Sequence, residues 1–328
     1  MTLLYVVTPG ASVHKRAGQI VVKDTAGQTL AEEEISRLES VAVASSVAVS
    51  VQAMTALLEE GVELAILAGQ GRLMGRLCPP ASKNIELRKA QYARESDAAF
   101  ALGVARQIAT AKVHNQIQTL LRHTWDEPGA QPAVEEALKR MEAAPAALAQ
   151  APDLETLRGL EGNAGREYWK GFGAMLKAPG VAFAGREQRP APDPVNALLS
   201  FGYVLLGNLI HARLEAAGFD PFLGFLHVES YGRPSLALDM VEPFRAPVVD
   251  RFVARVFNLG ILKPADFAPD GEGGMRLGEK GLKTFFHEWE RQLSKMETRD
   301  RLAEQMEQLR LVFLGKADKL SPYLWEAR

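Results

Sequence analysis

The spacing of apolar and polar positions changes near residue 80. Before that point the apolar runs are short and β-branched, the mark of strands. Residues 3–8 form one such run. Residues 11–23 form two, with Ala17-Gly18 between Val13 and Ile20-Val21-Val22, which predicts a hairpin. Residues 38–44 alternate in part. A short helix should follow Ser50, because Ser50 can cap it and Val51, Met54, Leu57 and Leu58 recur at helical spacing up to Gly61. Residues 62–67 then read as a buried strand, and Cys78-Pro79-Pro80 closes the β region.

From Ser82 onward the period is helical. Long stretches run over 85–123, 133–149, 154–177, 195–217, 236–258 and 281–314. Pro- and Ala-rich stretches near 127–133 and 143–153 should connect them. The expected fold class is therefore α+β and multidomain. A small β-rich N-terminal domain (1–80) precedes a large all-α domain (81–328), with a linker around 78–85.

Composition narrows the class without naming a function. The chain has 328 residues, 47% of them hydrophobic and 24% charged, and a formal net charge of −2. That balance reads as globular, and any grip on nucleic acid must come from local basic patches. One cysteine, Cys78, excludes a disulfide framework or a cysteine-rich zinc site. No long uninterrupted apolar run suggests a signal peptide or membrane span, so the expectation is a cytoplasmic protein with no membrane partner.

Three positions sit badly in an ordinary core. In the helix from Leu154, the seam Leu157, Ala164 and Tyr168 also takes in Glu161. A carboxylate there needs either an ion pair, with Arg158 or Arg166, or a cation. His227 ends the run Gly224-Phe225-Leu226-His227, just before a turn and a helix from Ser235; a lone histidine of this kind is a core residue or a ligand. On that helix Asp239, Glu242 and Arg245 lie three apart and stack on one side. Arg245 can neutralise Glu242, or a divalent metal can sit beside the carboxylates. Carboxylates plus one imidazole suit magnesium or manganese better than structural zinc. The helix capped by Asp193-Pro194 carries Asn196, Ser200 and Tyr203 as a polar stripe, which either bonds its own backbone or supports the ligands from behind.

These residues lie within four longer motifs, and together the motifs resemble the CRISPR-associated endonuclease and integrase that inserts new spacers. They are Leu157-Arg-Gly-Leu-Glu161-Gly-Asn-Ala-Gly-Arg-Glu-Tyr168, Arg189-Pro-Ala-Pro-Asp-Pro-Val-Asn196-Ala-Leu-Leu-Ser-Phe-Gly-Tyr203, Gly218-Phe-Asp-Pro-Phe-Leu-Gly-Phe-Leu-His227 and Gly232-Arg-Pro-Ser-Leu-Ala-Leu-Asp239-Met-Val-Glu242-Pro-Phe-Arg245. The resemblance implies that Glu161, His227 and Glu242 are metal ligands for Mg2+ or Mn2+, with Asp239 as an acidic neighbour. It further implies a homodimer joined through the N-terminal strands, DNA as substrate (a spacer duplex and the CRISPR repeat), and a small ferredoxin-like CRISPR-associated companion protein.

Two rival readings remain at this point: a general metal-dependent nuclease without integration, and a non-catalytic DNA-binding subunit. Residues 64–94 hold six basic residues and one acidic residue, which makes Arg72, Arg76 and Arg88 candidates for phosphate contact. Arg186, Arg189 and Arg233 are candidates nearer the catalytic motifs. An ordinary solvated face would explain scattered arginines equally well.

Overall fold

The computed structural model describes residues 2–68, 73–78, 84–126, 132–188 and 190–327. The chain divides into two compact units. One comprises Met1–Ala81 and Arg276–Glu290, the other Ser82–Met275 and Arg291–Arg328. The β-rich start and helical remainder match the expected fold class. The segment 276–290, expected in the helical part, instead belongs with the strands.

The first unit holds two sheets. Strands β1 (Thr2–Val6), β5 (Leu38–Ala44), β7 (Glu63–Leu67) and β8 (Leu73–Leu77) lie side by side in that order. The β1–β5 and β5–β7 pairs are parallel, and β7–β8 is antiparallel. Between β5 and β7 the chain crosses over through helix α1 (Val51–Glu59), whose cap is Ser50 accepting from the Ala53 N–H. The strand expected to be buried over 62–67 is only partly so: Val62, Leu64 and Leu67 are buried, whereas Ile66 is 38% exposed.

The second sheet has the order β4 (Thr29–Glu34), β3 (Gln19–Lys23), β2 (Ser12–Arg16), β6 (Ala48–Val49). The hairpin expected at Ala17-Gly18 joins β2 to β3, with Ala17 in the left-handed region at φ 51°. Val13, Ile20, Val22, Val41, Val43, Leu57 and Leu64 form the shared core. The first part of α10 (Glu279–Lys295) adds Phe286, whose ring stacks on Tyr5 with centroids 4.1 Å apart.

In the helical unit, several stretches that read as single helices are broken. Residues 85–123 form α2 (Ile85–Glu95) and α3 (Ala98–Asp126), because Asp97 Oδ1 accepts from the N–H groups of Ala99 and Phe100 and starts a new helix. Residues 133–149 form α4 (Pro132–Met141) and α5 (Ala144–Ala149). Near the end, α10 gives way to α11 (Thr298–Phe313) at Glu297, where φ is 48°. The stretch 236–258 is α8 (Ser235–Phe244), a π-helical turn (Arg245–Asp250) and α9 (Arg251–Asn258).

Pro247 explains part of that π-turn. It has no N–H to offer the Pro243 carbonyl one turn back. Asn115 of α3 donates to that carbonyl instead, at 2.6 Å.

Helices α6 (Leu154–Met175) and α7 (Pro194–Ala217) start as expected, capped by Asp153 and Asp193. By length and composition α7 is apolar enough to cross a membrane, and 61% of its apolar window is buried inside the protein. α3 packs against α6 and α8, and α7 against α8. Tyr168, Phe172 and Phe244 are fully buried among them. Truncating such a ring to alanine costs about 3–5 kcal/mol.

Candidate active site

Three helices of the second unit bring charged groups to one point. Glu161 on α6 does face the apolar seam, since Leu157, Ala164 and Tyr168 beside it are buried. Its partner is neither Arg158 nor Arg166. Both nitrogens of the Arg158 fork donate to the Leu226 carbonyl, at 2.6 and 2.9 Å, and Arg166 donates to Asn163. The cation beside Glu161 is Lys112 of α3, with Nζ 2.5 Å from Glu161 Oε1. The same ammonium lies 2.6 Å from Glu242 Oε2 on α8. Lys112 is the residue that sequence reasoning missed. Its signal was available: Ala105, Ile108, Lys112, Asn115 and Thr119 recur at alternating spacings of three and four.

Glu242 is 2% exposed and holds two more groups. Arg245, one turn on, donates to its Oε1 at 2.9 Å, and His227 Nε2 stands 3.6 Å from that same oxygen. Burial is the largest single influence on this carboxyl and pushes its pKa up. The charges of Arg245, Lys112 and His227 together outweigh burial and hold the pKa down at about 2. Burial likewise pulls the Lys112 ammonium down, but Glu242 and Glu161 overcome it, so its pKa lies above the usual lysine value.

His227 sits in a loop held from both sides. Asp239 on α8 is fully buried and accepts four hydrogen bonds. Phe225 and Leu226 donate their backbone N–H groups to Oδ2 at 2.6 and 3.0 Å, and His227 donates its backbone N–H and ring Nδ1 to Oδ1 at 2.9 and 2.7 Å. An ionised carboxylate only accepts, so Nδ1 carries a proton toward Asp239, and Nε2 is the ring nitrogen turned toward Glu242. Gly224 makes this approach possible: a Cβ there would stand 2.7 Å from the Ser235 backbone carbon. Asp239 thus orients the imidazole, and its oxygens are already engaged.

The polar stripe on α7 serves an arginine. Asn196 Oδ1 and Ser200 Oγ each accept from Arg186 at 2.9 Å, and Asn196 also bonds the backbone of Gly185 and Glu187. The Tyr203 ring lies 4.4 Å from the Arg245 guanidinium carbon and 5.4 Å from that of Arg186. Its hydroxyl donates to Asp250, as does that of Tyr168. Asn196 and Ser200 therefore hold Arg186, and Tyr203 is the stripe residue that packs on Arg245, which bonds Glu242.

The remaining arginine candidates scatter. Arg76 pairs with Glu63 at 3.8 Å across β7 and β8, in the other unit. Arg88 lies half-buried on α2, and Arg233 in the turn before α8. Arg72 and Arg189 lie outside the described residues.

The donor set fits a hard divalent cation. Two carboxylate oxygens from separate helices already face one positive nitrogen, and an imidazole nitrogen stands beside them. Glu242 Oε2 accepts no well-directed hydrogen bond, so its link to Lys112 is a charge contact. Among the described residues no three His, Cys, Asp or Glu side chains are drawn together as a ready metal cluster. The ammonium stands between Glu161 and Glu242 instead.

Comparison with known proteins gives the family. The chain is 35% identical to CRISPR-associated endonuclease Cas1 2 of Rhodospirillum rubrum, over 99% of this chain and 95% of that protein. It is 34% identical to a CRISPR-associated exonuclease Cas4/endonuclease Cas1 fusion of Geobacter sulfurreducens, spanning 89% of this chain but only 53% of the fusion's length. Among solved structures, a casposase bound to integration product shares the fold with a TM-score of 0.82 at 22% identity, over 100% of this chain and 95% of that one. A Cas6-RT-Cas1–Cas2 complex does so at 0.78 and 24% identity, over 99% of this chain and 36% of that one. A family model described as CRISPR associated protein Cas1 matches residues 4–291, and with these relatives it means that the chain belongs to the Cas1 family.

Proposed function

We propose that this protein is a divalent-metal-dependent DNA endonuclease and integrase that inserts spacer DNA into a CRISPR array. The observation that carries the reading is the meeting of Glu161 and Glu242 on one cation position beside His227 Nε2. Family membership and the endonuclease names of the relatives support it.

Glu161, His227 and Glu242 would hold Mg2+ or Mn2+. When bound, the metal stabilises charge on the pentacoordinate phosphorus and orients the attacking oxygen. The attacking group in integration is the 3′-hydroxyl of the spacer strand. Its oxygen bonds to a phosphorus of the repeat, and the bond from that phosphorus to the neighbouring 3′-oxygen breaks. The attacking hydroxyl loses its proton, and the leaving oxygen gains one and departs as a new 3′-hydroxyl. One phosphodiester replaces another, so no nucleotide cofactor is consumed. Water in place of the 3′-hydroxyl gives hydrolysis. Asp239 keeps the His227 ring in the tautomer that leaves Nε2 free, and Arg245 remains on Glu242.

Insertion at both ends of one repeat needs two active sites. A homodimer joined through the N-terminal strands, working with a small ferredoxin-like companion, meets that need. The solved casposase described with an integration product and the complex that contains Cas2 are consistent with such partners. Arg88 and Arg233 are proposed phosphate contacts; Arg76 pairs with Glu63.

The test is joining of a fluorescent spacer duplex to a repeat-bearing plasmid, with Mg2+ or Mn2+ and the companion protein. His227→Ala should abolish joining and cleavage while DNA binding survives. Joining at the wild-type rate under both metals would overturn the reading.

A further inference from the structure

Lys112 raises a question that the proposed chemistry leaves open. Its ammonium stands 2.5 Å from one oxygen of Glu161 and 2.6 Å from one of Glu242, in ionic contact with both. Those oxygens come from α6 and α8, and the lysine comes from α3. A divalent metal bridging the same two carboxylates would sit about 2.0–2.6 Å from each oxygen. An ammonium nitrogen cannot share that point with it. The two cations exclude one another.

The neighbouring cations are built differently. Arg245 is half-buried, but it is bonded to Glu242 and stacked on Tyr203, which holds its planar head in place. Lys112 carries a compact charge on a flexible four-carbon stem, so its ammonium can swing away by rotating that stem, although its side chain is only 13% exposed. Burial matters as well. Glu242 is 2% exposed, and two carboxylates left facing each other there would repel strongly.

We propose that Lys112 is a built-in counter-cation that exchanges with the metal. Before metal arrives it keeps Glu161 and Glu242 together and the site assembled. On loading it must leave, and the cost of breaking its two ion pairs weakens the apparent metal affinity. The residue is thus a positioning group for the unloaded site and sets the metal concentration at which the site loads. The inference rests on the reading that Glu161 and Glu242 are metal ligands.

The experiment needs no DNA. The full chain is stripped of metal and titrated with Mn2+, with free Mn2+ followed by electron paramagnetic resonance, for wild type, Lys112→Met and Lys112→Gln. Both variants should bind Mn2+ at least tenfold more tightly than wild type. Their melting temperature should also rise more on adding Mn2+, because the unloaded variants lack the counter-charge. Lys112→Gln keeps hydrogen-bond donors toward the carboxylates and serves if Lys112→Met does not fold. A third measurement uses unmutated protein with 15N-lysine: Mg2+ should shift the Lys112 ammonium resonance and speed its proton exchange.

Unchanged or weaker Mn2+ affinity in a folded variant overturns the exchange while leaving the metal reading intact. So does an unmoved ammonium resonance at saturating Mg2+. No Mn2+ binding in any of the three proteins overturns both. Loss of joining with unaltered Mn2+ affinity would place the lysine on the DNA instead, and likewise overturns the exchange.

Discussion

Asp239 Oδ1 accepts from two hydrogens of His227 at once, the ring Nδ1–H at 2.7 Å and the backbone N–H at 2.9 Å. Its other oxygen takes the N–H groups of Phe225 and Leu226. Asparagine has one accepting oxygen and a donating nitrogen, so it cannot satisfy this set. Asp239→Asn should leave an N–H unpaired and release the imidazole from its tautomer. Orienting partners of this kind are worth about 10–100-fold in metal affinity or activity. Mn2+ titration and the joining assay should both fall within that range, while DNA binding stays at wild-type strength. A variant with normal metal affinity and joining would remove Asp239 from the site.

Truncations at His227 and Glu242 should part company in stability. His227→Ala removes a partly exposed ring and should change the melting temperature little. Glu242→Ala removes the common partner of Lys112 and Arg245, leaving Arg245 without its carboxylate and Lys112 with Glu161 alone. Breaking a buried pair in this way costs about 3–5 kcal/mol. Urea unfolding of both variants beside wild type checks the contrast. The sequence alone suggests that both removals are mild, since burial and the second cation at Glu242 are visible only in the fold.

That difference marks what could be read from the chain. Glu161 was legible because a single helix puts it between Leu157 and Ala164, and Asp193-Pro194 was legible as a helix start because capping is local. The Ala17-Gly18 hairpin is local too. Lys112 was hidden because its partners lie on two other helices, and a lysine in a long helix looks solvated until its stripe is traced. Strand β4 was hidden by composition: Thr-Leu-Ala-Glu-Glu-Glu pairs through its backbone with β3 while its glutamates point largely outward. The break at Ser96-Asp97 carried an N-cap signal that the flanking helical periodicity masked.

Asp250 should give the protein a pH dependence near neutrality. Burial pushes its pKa up to about 6, against the hydrogen bonds from Tyr203 and Tyr168 that pull it down. An acid whose folded pKa is raised binds its proton more tightly in the native state. The native state therefore gains stability as pH falls through about 6 toward the ordinary aspartate range, and carries the full burial cost above 6. Glu242 acts in the opposite sense. Its contribution is present above the usual glutamate pKa and is lost only as pH falls toward about 2. Asp250→Asn mimics the protonated side chain. Between pH 7 and pH 5, wild type should gain stability relative to Asp250→Asn by about 1 kcal/mol. Chemical denaturation at the two pH values measures this directly. A carboxyl 13C titration with a midpoint near 4 would contradict it.

The segment 315–327 should matter to the site although none of its residues reaches the metal ligands. It is an extended strap with little backbone pairing of its own, held by side-chain amides. Gln107 accepts from the Leu320 N–H, Gln305 from Tyr323, Asn115 from Trp325 and Gln118 from Ala327. Three of these amides project from α3, the helix that carries Lys112. Asn115 joins the strap to the site: its amide nitrogen donates both to the Tyr323 carbonyl and to the Pro243 carbonyl, next to Glu242. The Tyr323 ring stacks on Phe244 at 4.7 Å, and the Arg251 guanidinium lies over Trp325 at 4.2 Å. The end of α8 is thus clamped from outside at the point where Pro247 leaves a carbonyl unserved by its own helix. Asn115→Ala should orphan that carbonyl, at about 1–3 kcal/mol for the buried group. Tyr323→Ala should remove the stack and let the end of α8, and with it Glu242, sample more positions. Both variants should lose joining activity and Mn2+ affinity while binding DNA normally. Leu324→Ala is the control, because Leu324 is 53% exposed and should stay within about 0.5 kcal/mol of wild type. If Tyr323→Ala keeps wild-type Mn2+ affinity and joining at a temperature where it is fully folded, the strap is only a stability element.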